Sequence, residues 1–109
     1  MYTEDYLEAA HKASFHNKAY LSKSKVCGCF CCLRTFDPAL ISWWTDQPAN
    51  DPASEDLATG WCPYCITDSV LGDYSGFPIT NNFLKQMNEH YFCGCVCKSD
   101  NLKTALAVV

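Results

Sequence analysis

Cys29-Phe30-Cys31-Cys32 and Cys62-Pro63-Tyr64-Cys65 are the two stretches that decide the fold of this chain. Each contains two cysteines with two residues between them, and at this spacing a tight turn directs both sulfurs at one point. The 29 residues between the two pairs leave room for further local structure. Four thiolates at the corners of a tetrahedron suit Zn²⁺, so the spacing predicts one structural zinc site with four cysteine ligands. The alternatives are an iron–sulfur or redox site, since four thiolates also hold iron, and cysteines that pack as small apolar residues without a metal.

The remaining cysteines leave some ligand choices open. Cys27 is an alternative ligand in the first cluster, whereas the adjacent Cys31 and Cys32 cannot easily point at the same metal. A third group, Cys93-Gly94-Cys95-Val96-Cys97, follows the last predicted helix. Its thiols either pack or lie exposed without a metal, or they contribute to a second thiolate site.

Composition limits the class of protein. The chain has 109 residues, 49% of them hydrophobic and 14% aromatic, which is enough for one small core and excludes a disordered chain. Nine cysteines is an odd number and fits poorly with a fully paired disulfide framework. The sequence as given shows no secretory signal and no apolar membrane span, so we expect a cytoplasmic protein with reduced thiols.

The pattern of caps and turns predicts a small single α+β domain over 1–109, with its core in about 3–92 and a cysteine-containing tail in 93–109. We expect a zinc-ribbon or treble-clef-like site of four cysteines flanked by helices. Thr3 caps a helical stretch that reaches to about residue 24, either continuously or with a second helix capped by Ser14. Further helices are predicted over 38–45 and 80–92, with aromatic faces packed around the zinc site, and the polar segment 45–60 is predicted to be a loop.

Charge is distributed unevenly along the sequence. The formal net charge is −4, yet the segment 35–84 contains seven acidic residues and no Lys or Arg. Such a surface disfavours nucleic acid and can attract a basic protein, for example a toxin, with tryptophan as an anchor. The alternative interpretation is ordinary solubility. The candidate partner-binding residues are Trp43, Trp44, Asp46, Asp51, Glu55 and Asp56.

Two other classes of function are weighed against a protein-binding module. Cys62-Pro63-Tyr64-Cys65 resembles the redox motif of glutaredoxins, but it follows no apolar strand and leaves 44 residues after Cys65, too few for the rest of that fold. A nucleic-acid-binding zinc module is disfavoured by the missing basic residues in 35–84. No catalytic triad or phosphate-binding loop is legible, so we predict no catalytic residues.

The motifs together resemble those of short bacterial cytoplasmic zinc-binding proteins. The resemblance is carried by Cys27-Gly-Cys-Phe-x-Cys32, Trp43, Cys62-Pro-Tyr-Cys65, Asp68-Ser-Val-x-Gly-Asp73 and Gly76-x-Pro-Ile-Thr80. It implies zinc and the cytosol and supplies no activity. Cys31 stands where an aromatic residue is expected. Ile66 stands where glycine is common, which disfavours an ideal second knuckle and leaves room for a helix after Cys65.

Overall fold

The computed structural model describes residues 1–46 and 57–102. Within these residues, three α-helices surround two small antiparallel sheets, so the predicted α+β class is confirmed. The elements are α1 (Glu4–Lys12), α2 (Lys18–Lys23), β1 (Cys27–Cys29), β2 (Thr35–Phe36), β3 (Trp44–Thr45), β4 (Thr59–Gly60), β5 (Val70–Gly72) and α3 (Asn81–Phe92). Two short 3-10 turns are present as well: Pro38–Leu40 lies between β2 and β3, and Asp73–Ser75 lies between β5 and α3.

The larger sheet has the strand order β2-β1-β5 and carries the first cysteine pair at its centre. Cys27 is paired with Phe36 on one side of β1 and with Gly72 on the other, and Cys29 is paired with Val70. Because β1 is hydrogen-bonded on both sides, its end is fixed. Cys29, the first predicted ligand, is therefore held in place by the sheet.

Alternation along β1 and β5 divides the core into two clusters. Cys27, Cys29 and Val70 belong to a cluster that contains the six buried cysteines, whereas Leu71 belongs to a second, cysteine-free cluster. Gly28 faces α3, where a Cβ atom would lie 2.8 Å from Leu84 Cδ1. Successive side chains of a strand point to opposite faces, so the sheet separates the cysteines from the helical core.

The helices α1 and α3 form the second cluster rather than a shell around the cysteines. Phe83, Leu84 and Met87 of α3 pack with Leu7 and Ala10 of α1, and all five are buried. The expectation that the helix over 80–92 packs around the zinc site is therefore wrong for most of its length. The reason is that the apolar stripe of α3 faces the side of the sheet opposite to Cys29.

Helix boundaries follow the predicted caps in most places. The Thr3 and Thr80 hydroxyls accept hydrogen bonds from the backbone N–H groups of Tyr6 and Phe83, as expected for N-caps. The first helical stretch is divided in two, and the Ser14 hydroxyl donates to the carbonyl of His11 instead of capping α2.

The predicted helix over 38–45 is wrong beyond its first turn. Asp37 caps it as expected, accepting a hydrogen bond from the Ala39 N–H, but only Pro38–Leu40 is helical. The chain then becomes extended at Ile41 and enters β3, whose Trp44 pairs with Gly60 of β4. A β-branched residue and two tryptophans favour an extended chain, and pairing with β4 outweighs the local helix signal.

The segment 45–60, predicted to be a loop, ends in a strand. Residues 59–60 form β4 and are not part of a loop, whereas Asp51, Glu55 and Asp56 lie outside the described residues.

Among the helices in the described part of the chain, none combines the length and the apolar character needed to cross a bilayer.

Candidate metal centre

The first cysteine pair forms a closed turn that begins at the end of β1. The Leu33 N–H donates to the Cys29 carbonyl at 2.8 Å, and the Cys29 N–H donates to the Arg34 carbonyl at 3.0 Å. Inside the turn, the Cys31 N–H points at the Cys29 sulfur, with an N···S distance of 3.4 Å. Backbone N–H groups directed at a sulfur favour the thiolate form, which is the form that binds metal.

The second cysteine pair repeats this turn bond for bond. The Ile66 N–H donates to the Cys62 carbonyl at 3.1 Å, and the Cys62 N–H donates to the Thr67 carbonyl at 2.8 Å. The Tyr64 N–H lies 3.4 Å from the Cys62 sulfur. The two pairs are therefore equivalent turns built from unrelated intervening residues, as expected if both serve one metal.

The four predicted ligands meet at one point. The sulfur atoms of Cys29, Cys32, Cys62 and Cys65 all lie within 4.8 Å of one another, and all four residues are buried. The Cys29–Cys65 and Cys32–Cys62 sulfur distances are 3.5 and 3.7 Å. A tetrahedral zinc ion with Zn–S bonds of about 2.3 Å requires sulfurs about 3.8 Å apart. The cluster can thus hold a metal ion, and its geometry fits Zn²⁺.

Ile66 accepts the conformation for which glycine is usual. Its φ is 57°, and Leu33, at the equivalent place after Cys32, has φ 63°. The second pair is therefore a knuckle like the first, so the argument from Ile66 against an ideal second knuckle is wrong, and no helix begins directly after Cys65. A β-branched residue at positive φ is strained by about 1–2 kcal/mol, and the hydrogen bonds of the turn outweigh that cost.

We expect Ile66→Gly to leave the free energy of unfolding within about 1 kcal/mol of wild type, because relief of the φ strain offsets the lost half-buried side chain. Zinc content should not change. The matched control is Ile41→Gly, which removes the same side chain where φ is −74° and Ile41 is buried. That variant should lose about 3–5 kcal/mol in a denaturant titration. Equal losses for the two variants would contradict the strain argument.

Without a metal, the four thiols share protons unequally. The pKa of Cys32 is lowered because the Cys29, Cys62 and Cys65 thiols hydrogen-bond to its sulfur. The pKa of Cys29 is raised, first by its hydrogen bond with Cys32, and the pKa values of Cys62 and Cys65 are raised as well. A glutaredoxin-type nucleophile would need a lowered pKa at Cys62, the first cysteine of the motif. Here Cys62 is 0% exposed, which also hinders attack on a disulfide.

Two polar residues beside the cluster were missed by sequence reasoning. The Thr67 hydroxyl lies 3.1 Å from the Cys65 sulfur and 3.6 Å from that of Cys29. The guanidinium of Arg34 interacts with Cys32 and lies over the Tyr64 ring at 5.1 Å. Both residues stand two positions after the last cysteine of their turn, and such groups orient and stabilise ligating thiolates. That common position was the available signal.

Cys27 and the cysteines after α3 occupy different environments. Cys27 is buried in β1 and is not among the four clustered sulfurs, and burial raises its pKa to about 12. Cys93 and Cys95 are exposed. Cys97 is half-buried and packs against the cysteine cluster, and its sulfur lies within 4.8 Å of those of Cys31 and Cys65. The backbone and side chain of Ser99 hydrogen-bond to the Cys97 sulfur and lower its pKa.

Of the three tryptophans, Trp43 is exposed, whereas Trp44 and Trp61 are half-buried. Trp43 is 50% exposed and stacks on Trp61 with ring centroids 4.9 Å apart. The Trp61 backbone N–H donates to the Trp43 carbonyl at 3.0 Å. Trp44 packs against the cysteine cluster, with the Lys18 ammonium 5.1 Å from its ring centroid. We call Trp43 and Trp61 the tryptophan pair. Trp61 immediately precedes Cys62, so the second knuckle fixes the position of one member of the tryptophan pair.

Two of the described acidic residues of 35–84 accept backbone hydrogen bonds although they are exposed. The Asp73 carboxylate accepts hydrogen bonds from the Lys25 and Val26 N–H groups at 2.8 and 3.2 Å, and these bonds lower its pKa. Asp37 caps a 3-10 turn. Asp46 is exposed directly after β3, at φ 65°. Among the candidate partner-binding residues, Trp43 and Asp46 are therefore placed at the surface close to each other in sequence, while Trp44 is turned inward.

A comparison with protein-family models, curated proteins and solved structures finds no match for this chain. Inferences about function therefore depend on the geometry described above.

Proposed function

We propose that the chain is a non-catalytic, zinc-stabilised protein-binding module of the cytoplasm. The single observation that carries the zinc assignment is the convergence of four buried cysteine sulfurs from two equivalent turns. Four protein ligands complete the coordination of Zn²⁺ and leave no open position for substrate. A metal held in this way stabilises the fold and performs no reaction.

The tryptophan pair supports the choice of a protein partner. A surface cavity of about 190 Å³ is lined by Leu40, Trp43, Trp61 and Pro63, beside the second knuckle. Aromatic side chains next to a pocket are common anchors of protein interfaces. Since the segment 35–84 has a net charge of −7, the complementary partner is basic. One form of this proposal is an immunity or antitoxin-type protein that neutralises a basic toxin.

We expect a basic host protein to be captured by the wild-type chain and lost with Trp43→Ala, with affinity reduced at least tenfold because an aromatic anchor is removed. The control is Tyr20→Ala, which removes a similarly exposed aromatic ring outside 35–84. Association measured by surface plasmon resonance should slow as salt is raised, while dissociation changes little. Asp46→Asn should weaken the salt dependence, because it removes one charge and keeps a residue that tolerates positive φ.

Two outcomes would replace this proposal. If the wild type shifts a DNA or RNA probe at physiological salt, the nucleic-acid-binding alternative is favoured. If the zinc-loaded chain shows glutathione-coupled disulfide reduction that is lost in Cys62→Ser, the redox alternative is favoured. A captured partner could instead bind wild type and Trp43→Ala equally, without salt dependence. That result would show that the segment 35–84 is only a solvated surface and does not bind the partner.

A further inference from the structure

A second group, of three sulfurs, adjoins the four-sulfur cluster of Cys29, Cys32, Cys62 and Cys65. The sulfur atoms of Cys31, Cys65 and Cys97 lie within 4.8 Å of one another. They come from three segments, namely the first knuckle, the second knuckle and the chain after α3. Cys31 and Cys65 are buried, and Cys97 is half-buried. Only Cys65 also belongs to the four-sulfur cluster, so Cys31 and Cys97 are thiols that the zinc assignment does not use.

Hydrogen bonds from α3 and the first knuckle fix Cys97 in this place. The Cys97 N–H donates to the Cys31 carbonyl at 2.9 Å. The buried Asn88 amide donates to the carbonyls of Phe30 at 3.0 Å and Cys95 at 2.8 Å. One side chain of α3 thus joins the knuckle to the segment that carries Cys97. These hydrogen bonds fix the position of Cys97 next to Cys31.

The far side of the segment is fixed as well. The Arg34 guanidinium donates to the Ser99 carbonyl at 2.6 Å, and the Asn101 backbone and amide N–H groups donate to the Tyr64 carbonyl at 2.8 and 2.7 Å. Residues after Cys97 are therefore attached to both knuckles. The sulfur of Cys97 is held against the cluster from both directions along the chain.

We propose that Cys31, Cys65 and Cys97 form a second metal site, in which Cys65 bridges the zinc ion and a soft monovalent ion such as Cu⁺. A thiolate has lone pairs for two metal bonds. Within the described residues this group offers three sulfurs, one fewer than structural zinc takes, and soft thiolates select Cu⁺. As the ion binds, Cys31 and Cys97 each release a proton to solvent, and neither the sulfurs nor the ion changes oxidation state.

The test uses the full chain loaded with one zinc ion. The chain is titrated anaerobically with Cu⁺ against a chromophoric chelator of known affinity, while an indicator monitors released zinc. We expect one Cu⁺ retained per chain with zinc still bound. Cys97→Ser and Cys31→Ser should each weaken copper retention at least tenfold while keeping zinc. Cys93→Ser is the matched control, because Cys93 is exposed and should leave copper retention unchanged.

The outcomes separate this site from the zinc site on which its bridging ligand depends. Absence of zinc from the purified chain would overturn the four-cysteine assignment and the bridged site with it. Zinc present, with copper retention unchanged in Cys97→Ser and Cys31→Ser, would overturn only the second site. Copper uptake accompanied by equal release of zinc would also overturn it, since that result indicates replacement at the first site.

Discussion

Cys62→Ser is expected to abolish zinc retention and to leave the chain unfolded at 25 °C. Zinc binding contributes about 10–16 kcal/mol in small zinc domains, as much as the whole stability of a typical domain, about 5–15 kcal/mol. Cys62 is one of the four clustered cysteines that could hold the ion, and it is fully buried in the core cluster that contains the cysteines. The measurements are metal analysis of the purified chain and its circular dichroism during thermal unfolding. X-ray absorption of the wild type should show four sulfurs at about 2.3 Å from zinc.

Cys93→Ser is the matched control for this prediction. It makes the same chemical change at an exposed residue that belongs to neither group of clustered sulfurs. We expect it to keep one zinc ion per chain and to melt as the wild type does. A chelator added to the wild type should reproduce the effect of Cys62→Ser. A metal-free wild type that melts at the same temperature as the loaded chain would refute the structural role of zinc.

Acid should release zinc from the four cysteines and thereby unfold the chain. Zinc binds thiolates, and in the metal-free cluster the pKa values of Cys29, Cys62 and Cys65 are raised, so these thiols hold protons that zinc must displace. Zinc affinity therefore rises with pH, because at low pH protons compete with zinc for the sulfurs. The loss of structure on acidification should therefore coincide with zinc release and be shifted to lower pH by excess zinc.

The clustering of Cys29, Cys32, Cys62 and Cys65 was predictable from sequence because the signal in each pair is local. Two residues between Cys62 and Cys65, and between Cys29 and Cys32, are sufficient to form a turn whose geometry depends little on the rest of the chain. The helix caps Thr3 and Thr80 were predictable for the same reason. In each case, the hydrogen bonds that form the turn or the cap join residues no more than five positions apart.

Features that depend on distant pairing were not predictable. The segment after Leu40 has a good helix start, but pairing of Trp44 with Gly60 makes it a strand. The position of Cys97 beside Cys31 depends on Asn88, which lies 58 residues from Phe30 in sequence. Ile66 shows a third limit: residue preference argued against the left-handed conformation, yet the bond between its N–H and the Cys62 carbonyl enforces it.

Asn17 provides the clearest case of a residue whose importance only the folded chain reveals. It is 1% exposed, and its amide nitrogen donates to the carbonyls of Val70 at 2.9 Å and Ser14 at 3.2 Å. Its amide oxygen accepts from the Gly60 N–H at 2.9 Å. One side chain therefore joins the start of α2 to β5 and to β4, the strand that leads into the second knuckle.

Asn17→Ala is expected to lower the free energy of unfolding by about 3 kcal/mol or more, because it leaves buried backbone groups unpaired at about 1–3 kcal/mol each. Asn82→Ala is the control, since Asn82 is exposed in the first turn of α3 and should change stability by less than about 0.5 kcal/mol. Both variants should bind one zinc ion, because neither touches a sulfur. Denaturant titration of the zinc-loaded variants measures the difference. If Asn17→Ala were no more destabilising than Asn82→Ala, the second knuckle would be positioned by its zinc ligands alone. A large loss instead assigns that position jointly to the metal and to the buried amide.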